Sequence, residues 1–401
     1  MAADSSLPRK ILAIDDDVSV TNQIESLVKN HGILVDKANT FESGIYKFNQ
    51  FRFDMVLVEL EFEQLPGTVL IQKFRNSEMA VKRNIPIVML TGIRRSPNEE
   101  ALITELGDVL IINKPIGLGP LLGVLSKTMH LYQLRANFND IRYRVIDPLL
   151  TQGRGEKAYQ VCKEKLIPLG KQGVYESAII FAQLGKVDEA FQLLDELHNQ
   201  EPNNMKYLND MARLSVRAGD LTKAKLLYEK ADAVAPSNLQ RITEMAGLYL
   251  AMKEPIRSVE KYSELIAFSP ENKDLKFEVY QKLFEGGFEE HARDFSKQTS
   301  TPAELIRHFN NKGVMLSKSL DFDAAISEYS RARALIPGDK ELYRILYNMA
   351  IAHINKKTRA DIQKAHTLLL EVKKMKPSFE KASEKLELTT KLLSLSPKEA
   401  S

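Results

Sequence analysis

The sequence predicts an α/β domain, a five-stranded parallel sheet with helices on both faces, followed by an all-α repeat array. Two observations predict the sheet. Short apolar runs alternate with helical stretches five times in the first 125 residues. The runs also end in polar residues, and open parallel sheets keep their chemistry at such strand ends. A third observation predicts the array: Pro202, Pro236 and Pro270 recur every 34 residues, as do Gly185 and Gly219.

Taken in order, Ile11-Leu12-Ala13-Ile14 is the first strand, with Asp15, Asp16 and Asp17 directly behind it. Val20, Ile24, Leu27 and Val28 then recur at helical spacing. Ile33-Leu34-Val35 reads as a second short strand, and Phe41 to Phe51 as a helix. The third run, Met55 to Val58, is apolar throughout, as in a strand buried on both faces, and ends in the carboxylate of Glu59. A helix follows around Val69 to Phe74. Ile85 to Leu90 is the fourth strand, leading into Thr91-Gly92. Glu99 to Leu106 is helical, Val109 to Ile112 is the fifth strand, and Asn113-Lys114-Pro115 follows.

The strand ends therefore gather Asp15, Asp16, Glu59, Thr91 and Lys114 at one rim. Carboxylates there can hold Mg²⁺ through oxygen. A lysine and a hydroxyl can pair with phosphate oxygens. In this order, and with Gly67 eight residues beyond Glu59, these residues resemble the receiver domain of bacterial response regulators, a flavodoxin-like fold, over residues 9–125. The resemblance implies that Asp15 and Asp16 are metal-binding acids, with Glu59 beside them at the phosphoacceptor position. It implies that Thr91 is the switch hydroxyl, that Lys114 pairs with phosphate, and that Lys114-Pro115 is a cis peptide. It also implies a histidine kinase or another response regulator as a partner of this domain.

Three departures stand out. The family's phosphoacceptor is an aspartate, and Glu59 stands there instead. Glu61-Phe62-Glu63 replaces the usual proline, and Ile111 replaces the aromatic switch residue. One added methylene moves the nucleophilic oxygen by more than about an ångström, and misplacements of that size cost rate heavily. Ordinary aspartyl phosphorylation is therefore not expected. Glu59 can instead imitate a phosphorylated acceptor in part, mark a vestigial site kept for docking, or leave a ligand response to the remaining acids.

Leu131, Leu134, Phe138, Ile141 and Val145 form a seam of three- and four-residue spacing on a long helix from Leu121 to Asp147. That helix either pairs two copies of the chain or packs on the domain after it. Residues 126–154 thus read as a connector, with Pro148 and Gly153 marking its end.

Over residues 155–396, alignment on the prolines superposes Ala178, Ala212 and Ala246, then Phe181, Ser215 and Tyr249. It also superposes Ala190, Ala224 and Ser258, then Leu194, Tyr228 and Tyr262. This pattern resembles the tetratricopeptide repeat. The stripes are expected to be core and not a cofactor site. A degraded repeat lies near 273–305, in which Pro302 falls early, and a good one near 306–339. The last repeat carries extra residues, expected at the helix junction from Asn355 to Asp361. Glu380 to Leu395 is expected to cap the array. Such arrays bind protein segments on a concave face. Asn209, Arg213 and Arg217, spaced by four, are candidates for a face that takes an acidic or extended partner segment.

Net charge is +3: residues 1–125 carry −3 and the rest +6. That is not the basic stripe of a nucleic-acid binder, although such a role for the array is the remaining alternative. Cys162 is the only cysteine, which fits a reducing compartment. The first nine residues are polar, and no apolar run is long enough to span a membrane, so a cytoplasmic location is expected. Phosphate-loop, dinucleotide and metal-spaced Cys/His patterns are absent, so no enzyme is expected and no cofactor is required.

Overall fold

The computed structural model describes residues 7–270 and 272–394. The polar start Met1 to Ser6 and the predicted end of the array at Leu395 and Ser396 lie outside the described residues. The chain divides into two compact units, one up to Leu248 and one from Tyr249 onward.

The first unit opens with β1 (Lys10–Ile14), α1 (Val18–Val28), β2 (Leu34–Ala38), α2 (Phe41–Gln50) and β3 (Met55–Glu59). It continues with α3 (Gly67–Arg75), the short α4 (Ala80–Arg83), β4 (Ile87–Thr91), α5 (Pro97–Glu105), β5 (Val109–Asn113) and α6 (Leu118–Ile141). All pairings are parallel, in the order β2-β1-β3-β4-β5. β3 and β4 are buried along their whole length, which explains their uninterrupted apolar runs. Helix starts follow local chemistry. Asp17 caps α1 by accepting from the Ser19 amide, and Ser96 with Glu99 closes a capping box around α5.

Two elements differ from expectation. β2 runs on through Asp36 and Lys37, because an edge strand faces solvent and tolerates charge; Lys47 reaches Asp36 at 2.5 Å. α4 is too short to show a periodic signal.

Of the two predicted end marks of the connector, Pro148 does not stop the helix, and the turn at Gly153 does. After α6 the chain makes a π-helical turn (Arg142–Ile146) and goes on as α7 (Asp147–Thr151). A proline removes one helical N–H and crowds the preceding turn, and the wider turn just before it absorbs that defect. α8 (Gly155–Val161) follows, then a second π turn (Cys162–Leu166). Of the α6 seam, Phe138 and Ile141 pack into the core shared with the first repeats, while Leu134 stays 44% exposed. The seam is thus used within the chain at its far end. Gly123 lies inside α6, at its first turns.

Helix pairs of the 34-residue period come next: α9 (Lys171–Gln183) with α10 (Val187–Gln200), then α11 (Lys206–Arg217) with α12 (Leu221–Val234). α13 (Leu239–Ala251) crosses the unit boundary. The second unit holds α14 (Pro255–Ala267), α15 (Leu275–Glu285), α16 (Glu289–Thr299), α17 (Pro302–Lys318), α18 (Phe322–Leu335), α19 (Tyr343–Lys356), α20 (Arg359–Met375) and α21 (Glu380–Ser394). Gly185 and Gly219 sit at φ +77 and +81 in the turns between paired helices, which is why glycine recurs there. The superposed alanine, serine and aromatic positions are all buried.

Two expectations in the second unit need correction. Pro302 does not close the degraded repeat; it occupies the first turn of α17, where its missing N–H costs nothing. The extra residues of the last repeat do not lengthen the junction. Lys357, at φ +61, and the cap Thr358 make it two residues long, and α20 takes the extra length.

Candidate functional site

Strand register sets the rim. Ile14 pairs with Val58, Glu59 with Leu90 and Thr91 with Asn113, so the carboxyl ends of four strands lie level. Asp15 follows β1, Glu59 ends β3, Thr91 ends β4 and Lys114 follows β5. The Lys114-Pro115 peptide is cis. Gly67 is explained by contact: a Cβ there would overlap the carbonyl oxygen of Glu59, so only glycine lets α3 start this close to β3.

At the centre is one ammonium between two carboxylates. Lys114 Nζ stands 2.8 Å from Asp15 Oδ2 and also contacts Glu59 Oε2. The Asp15 and Glu59 side chains are 0% and 2% exposed. Glu59 Oε1 accepts from the Glu61 amide at 3.1 Å, and Asp15 Oδ1 accepts from the Asp17 amide at 3.0 Å. Burial pushes the Glu59 carboxyl up to about 7, against the pull of its hydrogen bond from Lys114. Burial alone would depress Lys114, but its bonds to Asp15 and Glu59 outweigh that and raise it.

Not every predicted residue joins this cluster. The Thr91 hydroxyl is buried and bonds the Ile93 backbone, accepting from its N–H at 3.3 Å. It makes no hydrogen bond to Glu59. Asp16 is exposed and lines a small pocket beside Phe41 and Phe62. The three-acid Mg²⁺ set of Asp15, Asp16 and Glu59 is therefore not assembled. Among the described residues no group of three His, Cys, Asp or Glu side chains gathers in a way that suits a metal. Lys114 already supplies the positive charge that Asp15 and Glu59 face.

The repeat face proposed from sequence has a different fate. Asn209 is 3% exposed and donates to Glu105, at the last position of α5. Arg213 is engaged by Asp210 and by Glu244, the latter at 2.8 Å, whereas Arg217 is exposed. The acid held on this face is thus the chain's own. Glu105 and Arg241 are both buried, and Arg241 donates to Glu105 at 2.8 and 3.1 Å. Asn238 donates to the same carboxylate at 2.7 Å. Arg241 also meets Asp232 at 3.2 Å and the Ala235 carbonyl. Gln72 on α3 adds two bonds across the seam: it donates to the Ser237 carbonyl at 3.0 Å and accepts from the Leu239 amide at 2.6 Å. Ala101 and Leu102 of α5 belong to the same apolar core as Leu208 and Met211 of α11.

Sequence reasoning missed this seam, yet it left a signal. Arg241 lies 34 residues from both Tyr207 and Leu275, which are 6% and 8% exposed. An arginine at a core register position demands a buried acid, and a glutamate at the C-terminal end of α5, where the helix dipole disfavours it, demands a cation.

Comparison with known proteins agrees with the rim. Residues 11–126 match the family model described as the response regulator receiver domain. The chain is 33% identical over 107 residues to the CAI-1 autoinducer sensor kinase/phosphatase CqsS of Vibrio cholerae, covering 27% of this chain and 15% of that protein. Over 242 residues it is 24% identical to the BBSome complex member BBS4 of Bos taurus, covering 58% of this chain and 45% of that protein. The chain thus spans under half the length of these curated relatives. Among solved structures, a CheY-like response regulator receiver domain protein from Methanospirillum hungatei is 22% identical. It covers 32% of this chain and 98% of its own, with a TM-score of 0.29. With the sheet order and the rim residues already described, the family match leads to one conclusion: the region 11–126 of this chain is a receiver domain of the response-regulator family.

Proposed function

We propose that the chain is a signalling adaptor of the two-component type. Its receiver is held in one state by Glu59, and its helical array, read as tetratricopeptide repeats, binds a protein partner. The observation that carries this is the Glu59 carboxylate on Lys114, beside buried Asp15, where an acceptor aspartate would leave room for phosphate. Three facts support a fixed state over a switched one. The acceptor is one methylene too long, the lysine is already engaged, and Thr91 is turned to its own backbone. A kinase or another receiver would dock without phosphoryl transfer, and the reading includes no catalysis.

In this reading the partner of the repeats meets an array whose α11 face is already taken by Glu105. It therefore binds at the exposed end around Arg217 or on later repeats. The test is incubation of the full chain with Mg²⁺ and acetyl phosphate, followed by intact mass. The expected result is an unchanged mass for the parent, with phosphoryl gain only in Glu59→Asp. A stable gain of one phosphoryl group in the parent would reject the fixed-state reading.

A further inference from the structure

One cleft in the first unit is not used by the rim. It has a volume of about 280 Å³ and lies between α3, the end of α5, α6 and the start of α11. Five cations line it: Arg75, Arg83, Arg135, Lys206 and Arg213. Their partners decide what it can hold. Arg135 is paired with Asp108 at 2.7 Å, and Arg213 with Asp210 and Glu244. Glu105, the acid in the wall, is consumed by Arg241 and two amides. The other three cations make no ion pair with the described residues. Arg75 donates only to the carbonyls of Arg83 and Ile85, at 3.0 and 2.7 Å. The Arg83 side chain is exposed. Lys206 Nζ lies 3.6 Å from the centre of the Tyr175 ring, and its ammonium makes no hydrogen bond with the described residues.

A partly buried ammonium with no acceptor is costly unless something else supplies one. Burial pushes the Lys206 amine down against the pull of Asp210, and burial followed by Arg135 brings Arg75 down to about 10. Both directions follow first from burial of the cations, with Asp210 and Asp108 among the carboxylates pulling the other way. The cleft is too small for a folded partner and too polar for an apolar one.

We propose that this cleft binds a small anion carrying two or more phosphate charges, clamped by Lys206 and Arg83 across the junction of receiver and repeats. Phosphate oxygens suit guanidinium and ammonium donors. Because Arg75 and Arg83 come from the receiver and Lys206 from the repeats, such an anion would tie the two together and add to the Glu105–Arg241 contact.

The test is calorimetric titration of the full chain with inorganic pyrophosphate and, separately, ATP, in low salt with a chelator present so that no metal recruits the ligand to the rim. Saturable binding of at least one probe is expected, weakened at least tenfold by Lys206→Gln and severalfold by Arg83→Gln. Arg83 is exposed, so its variant keeps the test valid should the other fold poorly. Tighter binding of ATP than of pyrophosphate would identify a nucleotide as the class, and the reverse a bare oligophosphate. No saturable heat with either probe would overturn the proposal. So would binding unchanged in both variants, or binding lost in Lys114→Gln alone, which would place the anion at the rim.

Discussion

Two buried glutamates organise this molecule, and they differ in what surrounds them. Glu59 shares one lysine with Asp15 at the rim of the sheet, and that lysine keeps 22% of its side chain in solvent. Glu105 faces an arginine with no exposure at all, and two amides complete its shell. Both carboxyls are raised by burial against the pull of a cation, Glu59 to about 7. The first pair therefore reaches solvent only through its lysine. The second is sealed and reads as a fastening between the receiver and the repeats. In such a buried pair the cost of desolvation offsets much of the mutual attraction, so its net stabilisation is small while loss of one partner is costly.

The largest effect is expected from breaking the sealed pair. Arg241→Ala leaves Glu105 buried without its cation, and loss of one partner of such a pair costs about 3–5 kcal/mol. Thermal unfolding of the variant should show this as a marked fall in midpoint. Combining Arg241→Met with Glu105→Leu should recover part of it, because the buried charges of the pair leave together, although Asn209, Asn238 and Asp232 then lose their bonds to the pair. A double variant as unstable as Arg241→Ala would mean that the charges matter for more than their mutual neutralisation.

A smaller, pH-dependent effect is expected at the rim. Because its folded pKa is raised from 4.5 to about 7, Glu59 binds its proton more tightly folded than unfolded. Its stabilising contribution is fully present below the unfolded value and is lost as pH rises through the folded one. Glu59→Gln removes that loss. Denaturant unfolding should therefore show the variant gaining on the parent between about pH 5 and about pH 8, by roughly 1–2 kcal/mol after allowance for solvent at the rim. A difference that stays flat over this range would put the carboxyl outside its buried environment.

The contrast also explains what was legible in the sequence. The rim was legible because β3 and β4 are buried on both faces, so their apolar runs end abruptly at Glu59 and Thr91. What the sequence did not show was where those side chains point. Thr91 turns to Ile93 and Asp16 turns outward, and both depend on loop geometry. The repeats were legible in their period because small residues and turn glycines are demanded locally. The seam was not, because Glu105 and Arg241 lie 136 residues apart, and the arginine's place in the 34-residue register does not say which acid it meets. Asn209 and Arg213 read from the sequence as candidates for a partner's acid, and a single sequence does not tell that the acids they meet are the chain's own.

Glu105 fastens the receiver to the repeats, and amide hydrogen exchange on the full chain tests that fastening most directly. In the parent, α5 and residues 235–241 should be protected together. In Glu105→Gln both segments should exchange at least tenfold faster while β1 and β3 stay unchanged. If α5 in the parent already exchanges like a solvent-exposed helix, or if Glu105→Gln alters neither segment, the fastening does not exist in solution.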